Sequence, residues 1–194
     1  SNDELLIKMD STDPAAKVEI INQLNDEIVD DRIIKKLCNL LANDDKWVRF
    51  SASVKLKSLQ YANIPFILVD LIPSTDIGLR NLAGEILLAK GQESLTALIN
   101  FLPKGNDDDK KFIIDIIGLI GNSSASKNII EVLNSSENDN VILACIETLG
   151  NIRCEFAVEE IIKVYDNNEV FKPTAVEALG KIGTDKALKF IISR

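Results

Sequence analysis

The sequence of 194 residues contains no histidine. Imidazole is the usual general base near neutral pH and a common ligand of catalytic zinc. Its absence excludes Ser-His-Asp and Cys-His catalysis and most zinc and non-haem iron sites. Carboxylates, Lys, Tyr and Cys remain, but no spacing of these residues marks a catalytic, cofactor or metal site. We therefore expect a protein that is not an enzyme and that holds no cofactor.

Cysteines are few, and long apolar runs are missing. The three cysteines form no C-x-x-C pair and are odd in number. This usage is typical of a reducing compartment and predicts a cytoplasmic protein. No apolar stretch approaches the length of a membrane span, and no signal peptide opens the chain, so we expect no membrane partner.

Positive charge is also scarce. The net charge is −8, and no cluster of Lys and Arg is visible. A nucleic-acid binder needs such a cluster to displace counterions from phosphates. We therefore expect no nucleic-acid partner. The acidic pairs and triplets read as solvated loops and helix starts, because none has the spacing of a calcium loop.

The chain is internally repetitive, with a period of 30–32 residues. A small or apolar residue recurs at this step, and an apolar partner follows each one four residues later. Residues four apart lie on one face of a helix, so the ladder predicts the buried face of a repeated helix. The paired positions are Ala52 with Leu56, Ala83 with Leu87, Ile113 with Ile117, Cys145 with Leu149, and Ala175 with Leu179.

Two further ladders keep the same step and bracket these helices. Asp or Asn precedes each helix, and both residues are favoured N-caps. The left-handed turn that ends many helices favours glycine, which recurs after three of the helices. The predicted N-caps are Asp45, Asp76, Asn106, Asn138 and Asn168, and the predicted helix ends are Gly91, Gly121, Arg153 and Gly183.

A second apolar helix follows each turn, which predicts an all-α fold of about six stacked helical hairpins, an α-solenoid. The stretch from Pro14 to Leu24 supplies the first helix of the opening hairpin. The pair Ser1-Asn2 is typical of the remnant of a removed tag. We therefore assign residues 1–13 to a tag remnant and N-terminal lead-in, and residues 14–194 to a single repeat domain. This leaves open whether the chain is a fragment of a longer one.

The combined pattern, D-x-x-V-R, then A-x-x-x-L-G-x-I-G, then A-x-x-x-I, resembles HEAT repeats of the bacterial bilin-lyase-like type. WVRFSASVKLKSL and TAVEALGKIGTDKALKFI carry it most clearly, although Ile142 replaces the cation in one repeat. The resemblance implies a right-handed solenoid whose second helices line a concave face. Relatives of this repeat type include two enzymes, a bilin lyase subunit and deoxyhypusine hydroxylase. The hydroxylase holds its iron with His-Glu motifs, which a chain without histidine cannot supply.

The repeat also explains glycines that look like a phosphate loop. Gly180 and Gly183 surround Lys181 and precede Thr184, but a helical pattern comes before them where a phosphate loop needs a strand. Gly183 matches the helix-end ladder, and Gly180 matches Gly150 and Gly118. We therefore interpret Gly180 and Gly183 as structural residues of a turn between two stacked helices. Cys38 and Cys145 likewise occupy core positions.

Some positions of the second helices are not needed for the core and predict a partner-binding surface. Phe66 and Ile67 are the apolar exception among mostly polar residues; they either face the groove or pack against adjacent helices. A mildly apolar, non-basic groove suits a protein or peptide better than nucleic acid. The predicted site residues are Lys35, Lys36, Phe66, Ile67, Asp70, Thr96, Asn100, Lys127, Glu131, Glu159 and Glu160.

Two apolar residues of the first helices have alternative interpretations. Ile114 lies in a helix that is apolar on nearly every side, so it marks either a homodimer contact or a variation in packing. Trp47 either anchors a partner or covers the seam between repeats. The function that the sequence favours is a non-catalytic scaffold or adaptor that binds another protein along its concave face. The alternatives are a bilin-lyase-like chromophore-handling subunit and a nucleic-acid-binding HEAT-like protein.

Overall fold

A computed structural model describes all 194 residues, which divide into two compact units, residues 1–98 and 99–194. The helix α7 (Leu95–Phe101) crosses the boundary between them. The other helices of the first unit are α1 (Asn2–Met9), α2 (Pro14–Gln23), α3 (Asp31–Leu40), α4 (Lys46–Ser58), α5 (Ile64–Leu68) and α6 (Ile77–Lys90). Those of the second unit are α8 (Asp107–Ile120), α9 (Ser126–Ser135), α10 (Asp139–Asn151), α11 (Val158–Asn167), α12 (Lys172–Ile182) and α13 (Asp185–Ile192).

There is no strand, which confirms the all-α class. Helices α2 to α13 follow one another as six hairpins, several joined or extended by short 3-10 turns. In the first unit α2 packs on α4 and α4 on α6, and in the second unit α8 packs on α10 and α10 on α12. Each unit is therefore a stack of hairpins of the α-solenoid type, in which a helix buries its apolar face against the next repeat.

The predicted core ladder is buried without exception. All ten of its residues, from Ala52 and Leu56 to Ala175 and Leu179, have no exposed surface. Fully burying one of its Leu or Ile side chains stabilises a fold by roughly 1.5–3 kcal/mol. The period of the sequence is therefore the period of the core.

The predicted helix starts are also confirmed. Asp45, Asp76, Asn106 and Asn138 cap α4, α6, α8 and α10, and each side-chain oxygen accepts a backbone N–H of the first turn. Asn168 does the same for the 3-10 turn that leads into α12. These caps satisfy backbone donors that have no partner within the helix.

The predicted helix ends all adopt positive φ. Gly91, Gly121 and Gly183 have φ of 58°, 76° and 70°, and Arg153 has φ of 53°. Arg153 is the only residue other than glycine with positive φ in the chain. Arg153 stands where three other repeats have glycine, so the turn imposes on it a conformation that a side chain disfavours.

The interpretation of Ile114 as a homodimer contact on the outer side of its helix is wrong. The side chain is fully buried, and the backbone carbonyl accepts a hydrogen bond of 3.2 Å from the Thr148 hydroxyl of α10. The helix is apolar on several sides because it packs against more than one neighbour, which is the packing alternative.

Residues 2–9 form a helix that docks onto the first unit. Helix α1 packs against α2 and α3, and Met9 at its end has no exposed surface. Asp3 pairs with Arg32 at 2.8 Å, and Asp10 pairs with Lys36. The amide of Asn2 donates a 2.9 Å hydrogen bond to the carboxylate of Asp30, the N-cap of α3. The division into residues 1–13 and 14–194 stays a prediction.

This contact predicts a measurable pKa. The pKa of Asp30 is lowered from 3.8 to about 2, first by the hydrogen bond from Asn2, then by the Ile33 N–H and by Arg32. The ionised form therefore stabilises the fold above pH 4, and this contribution is lost as the pH falls towards 2. We expect Asn2→Ala to raise the pKa of Asp30 towards its ordinary value in a carboxyl NMR titration.

Asp31 provides the control for that titration. Its pKa is lowered mainly by hydrogen bonds from Asn63 and Tyr61, which Asn2→Ala does not touch. The pKa of Asp31 should therefore change much less than that of Asp30 in the variant, because only its interaction with the Asp30 charge is affected. An unchanged pKa of Asp30 would show that Asn2 does not stabilise the ionised carboxylate of Asp30.

Candidate protein-binding surface

In the first unit, the predicted site residues on α3 and α5 reach solvent. Lys35 is exposed, whereas Lys36 is half-buried and committed to the ion pair with Asp10. Phe66 is 42% exposed and Ile67 is half-buried. Neither is a fully buried core residue, so Phe66 is available to a partner, while Ile67 is shared between packing and solvent. Asp70 and Thr96 are exposed.

In the second unit, two of the predicted carboxylates are already paired. Glu159 of α11 pairs with Lys186, which lowers the pKa of Glu159 through a hydrogen bond and charge attraction. Glu160 pairs with Lys163 at 2.9 Å. Exposed pairs of this kind contribute little to stability, but they neutralise one another and leave less charge for a partner.

The predicted residues Lys127 and Glu131 on α9 are different. Both side chains are exposed, and neither makes an ion pair or a side-chain hydrogen bond. They line one cavity of about 540 Å³ at the side of α9 that faces α11. Its other lining residues are Ser123, Ser124, Ser126, Ile130 and Phe156.

Phe156 is the residue that the sequence prediction missed. It lies in the short 3-10 turn before α11, and its side chain is 90% exposed at the rim of the cavity. The repeat itself carried the signal, because every equivalent position holds a polar residue. These equivalents are Arg32, Asn63, Glu93, Ser124 and Lys186.

A second depression lies on the other side of α9. It has a volume of about 350 Å³ and is lined by Ile99, Leu102, Pro103, Lys110, Asn128, Glu131, Val132 and Ser135. The Glu131 carboxylate therefore stands between two partly apolar hollows. Asn100, the remaining predicted residue of this unit, is exposed.

The cysteines offer no reactive thiol. All three are unpaired and buried, as expected for Cys38 and Cys145 from their core positions. Burial raises the pKa of Cys38 and of Cys145 to about 12, so both thiols stay protonated at neutral pH. No group of three or more Cys, Asp and Glu side chains is arranged to hold a metal ion. None of the helices has the length and apolar character needed to cross a membrane.

These features define a repeat protein of stacked helical hairpins whose second helices carry an exposed, partly apolar surface. Residues 128–194 match the family model described as HEAT repeats. The resemblance to HEAT repeats is therefore confirmed for this part of the chain. The HEAT repeat fold is compatible with a protein-interaction scaffold. No curated protein sequence matches the chain.

Several solved structures are similar to the chain at low identity. An engineered protein is 20% identical, with a TM-score of 0.46 over 92% of this chain and 95% of that one. Human deoxyhypusine hydroxylase in complex with glycerol is 17% identical, with a TM-score of 0.48 over 92% and 83%. The complex of CpcE and CpcF of phycocyanin lyase from a Nostoc species is 18% identical, with a TM-score of 0.41 over 95% and 77%.

Proposed function

We propose that the chain is a non-catalytic scaffold or adaptor that binds a segment of another protein on the surface of its second helices. The observation that carries the proposal is the cavity beside α9. It combines an apolar floor and rim, from Ile130 and Phe156, with two unpaired charges of opposite sign, Lys127 and Glu131. Binding hot spots are enriched in aromatic residues, and polar groups beside them add specificity.

The dimensions of the cavity fit a side chain of a protein partner. A volume of about 540 Å³ accommodates one large apolar side chain with part of its backbone. Lys127 and Glu131 stand four residues apart on one helix and therefore project in the same direction. A bound segment that places an acid near Lys127 and a base near Glu131 would gain orientation as well as affinity. In the first unit, the exposed Lys35, Phe66 and Asp70 are proposed as a separate part of the binding surface.

The state of the thiols, the net charge and the lack of histidine support a binding role in a reducing, cytoplasmic compartment. The three thiols are free and buried, and the net charge of −8 disfavours nucleic acid. The chain offers no histidine for a metal or a general base. We therefore propose that it acts by holding a partner and performs no reaction of its own.

We expect Phe156→Ser to weaken binding at least about tenfold, because it removes the aromatic rim of the cavity. Serine is chosen because Ser124 occupies the equivalent position in the preceding repeat. The probe is a peptide selected on the wild-type chain from a random display library and labelled with a fluorophore. Its dissociation constant is measured by fluorescence anisotropy for both chains.

Ile77→Ser is the matched control, because Ile77 is also a strongly exposed apolar residue, at the start of the first helix α6 and not on a second helix. This variant should bind the peptide as the wild type does. Equal binding by Phe156→Ser and wild type would refute the assignment of the site. A library that yields no binding peptide would count against the binding function itself.

A further inference from the structure

The outer face of α4 carries a stripe of exposed apolar side chains. Trp47, Phe50 and Val54 are 60%, 61% and 47% exposed. They stand at positions i, i+3 and i+7, so they lie along one side of the helix. A single exposed apolar residue needs no explanation, whereas the largest contiguous apolar patches of a protein are often functional.

The other repeats show that this stripe is specific to α4. The position of Val54 is acidic in every other first helix of the ladder, and the positions of Trp47 and Phe50 are polar in about half of the cases there. No other repeat has apolar residues at all three positions. The equivalents are Glu85, Asp115, Glu147 and Glu177 for Val54; Asn81, Lys111, Leu143 and Pro173 for Phe50; and Gly78, Asp108, Asn140 and Val170 for Trp47.

A cavity of about 480 Å³ lies directly beside the stripe. Trp47 and the N-cap of α4 form one wall, and the start of α2 forms the other. The aromatic side chains are mutually supported, because the rings of Trp47 and Phe50 meet edge to face with centroids 6.3 Å apart. The remaining lining residues are Asp13, Pro14, Ala15, Val18 and Asp45.

Charge is distributed over this surface in a complementary way. The Lys46 ammonium lies 5.2 Å from the centroid of the Trp47 ring, beside the protruding aromatics, and makes no ion pair. Asp13 and Asp45, whose carboxylates cap α2 and α4, line the cavity. The surface therefore holds an apolar projection with a cation and an apolar hollow with anions.

A surface that carries both a projection with a cation and a cavity with anions is complementary to the same surface on a second copy of the chain. A two-fold symmetric interface uses the same patch on each subunit, so that each projection enters the hollow of the other. We propose that two copies of this chain associate through α2 and α4. Phe50 of each copy enters the cavity of the other, and Lys46 of each copy faces Asp13 of the other.

The size of the patch sets the strength of the association. The exposed parts of the three side chains amount to roughly 300 Å², given the 150–250 Å² that an aromatic side chain can bury. Stable interfaces bury about 800 Å² per partner. The dimer is therefore reversible and depends on concentration. The association does not depend on the binding surface of the second helices.

Sedimentation equilibrium of the full chain over a wide concentration range tests the proposal. The weight-average mass should rise from monomer towards dimer for the wild type. Phe50→Glu and Val54→Glu should each weaken the dimer at least about tenfold, because they place a carboxylate in an apolar contact. Val54→Glu restores the acidic residue of the other four repeats, so it is compatible with the fold.

Phe66→Ser is the control, since Phe66 is an exposed aromatic of the same unit that lies on α5 and outside this patch. It should dimerise as the wild type does. A wild-type chain that stays monomeric at every concentration overturns the proposal. A dimer that is unchanged in both Phe50→Glu and Val54→Glu overturns it as well.

Discussion

Met9→Ala is expected to lower the free energy of unfolding of the first unit by about 2–5 kcal/mol, the usual cost of truncating a buried Met to Ala. Met9 has no exposed surface, although it lies at the end of a helix of eight residues near the chain terminus. Helix α1 packs against both helices of the first hairpin, so the lost atoms leave a cavity in that contact.

Ile7→Ala is the matched control, because it removes a similar apolar side chain from the same helix. Ile7 is 72% exposed, so its removal should change the free energy of unfolding by less than about 0.5 kcal/mol. Urea unfolding is followed by circular dichroism and by the fluorescence of Trp47, the only tryptophan, which lies in the first unit. If both variants unfold like the wild type, α1 does not dock as the structure shows.

The docking of α1 illustrates what a sequence pattern leaves undetermined. No helix was predicted from the sequence in residues 1–13, although Ser1 and Glu4 form a capping box in which each side chain bonds the backbone of the other. The burial of Met9 was not readable, because it depends on α2 and α3 meeting the helix from outside. A helix of eight residues is only marginally stable alone and gains most of its stability from such contacts.

The repeat made the rest of the fold predictable because its signals are local. An N-cap such as Asn138 or a left-handed residue such as Gly121 satisfies the backbone within a few residues, so its role shows in the sequence. The burial of Ile114 could not be predicted from local signals, because it depends on the distance between α8 and α10. The same limit applies to the candidate site. The polar slots of the second helices were predicted from their spacing, whereas Phe156 lies in the turn outside that template.

Gly150→Val and Gly180→Val are expected to differ by about 3 kcal/mol in their effect on the free energy of unfolding. The two glycines occupy the same position of successive repeats, in α10 and α12. A Cβ at residue 150 would lie 2.7 Å from the Cα and 2.8 Å from the Cβ of Ala178 on the facing helix. A Cβ at residue 180 would meet no atom within 4 Å.

The physical cause is therefore the approach of α12 to α10. A side chain at residue 150 meets backbone, which cannot rotate away, so the two helices must separate and lose packing. At residue 180, valine only replaces the flexible glycine at an exposed position of the helix, where their propensities differ by less than about 0.5 kcal/mol. Chemical unfolding followed by circular dichroism compares the two variants with the wild type.

Gly118, the third member of this ladder, provides an intermediate case. A Cβ there would lie 2.7 Å from the Thr148 hydroxyl oxygen, which belongs to a side chain and not to backbone. Rotation of Thr148 can relieve the contact, but it sacrifices the buried hydrogen bond to the Ile114 carbonyl. The expected order of destabilisation is Gly150→Val, then Gly118→Val, then Gly180→Val. Equal losses at all three positions would mean that helix propensity, and not the distance to the facing helix, explains why glycine recurs at this position.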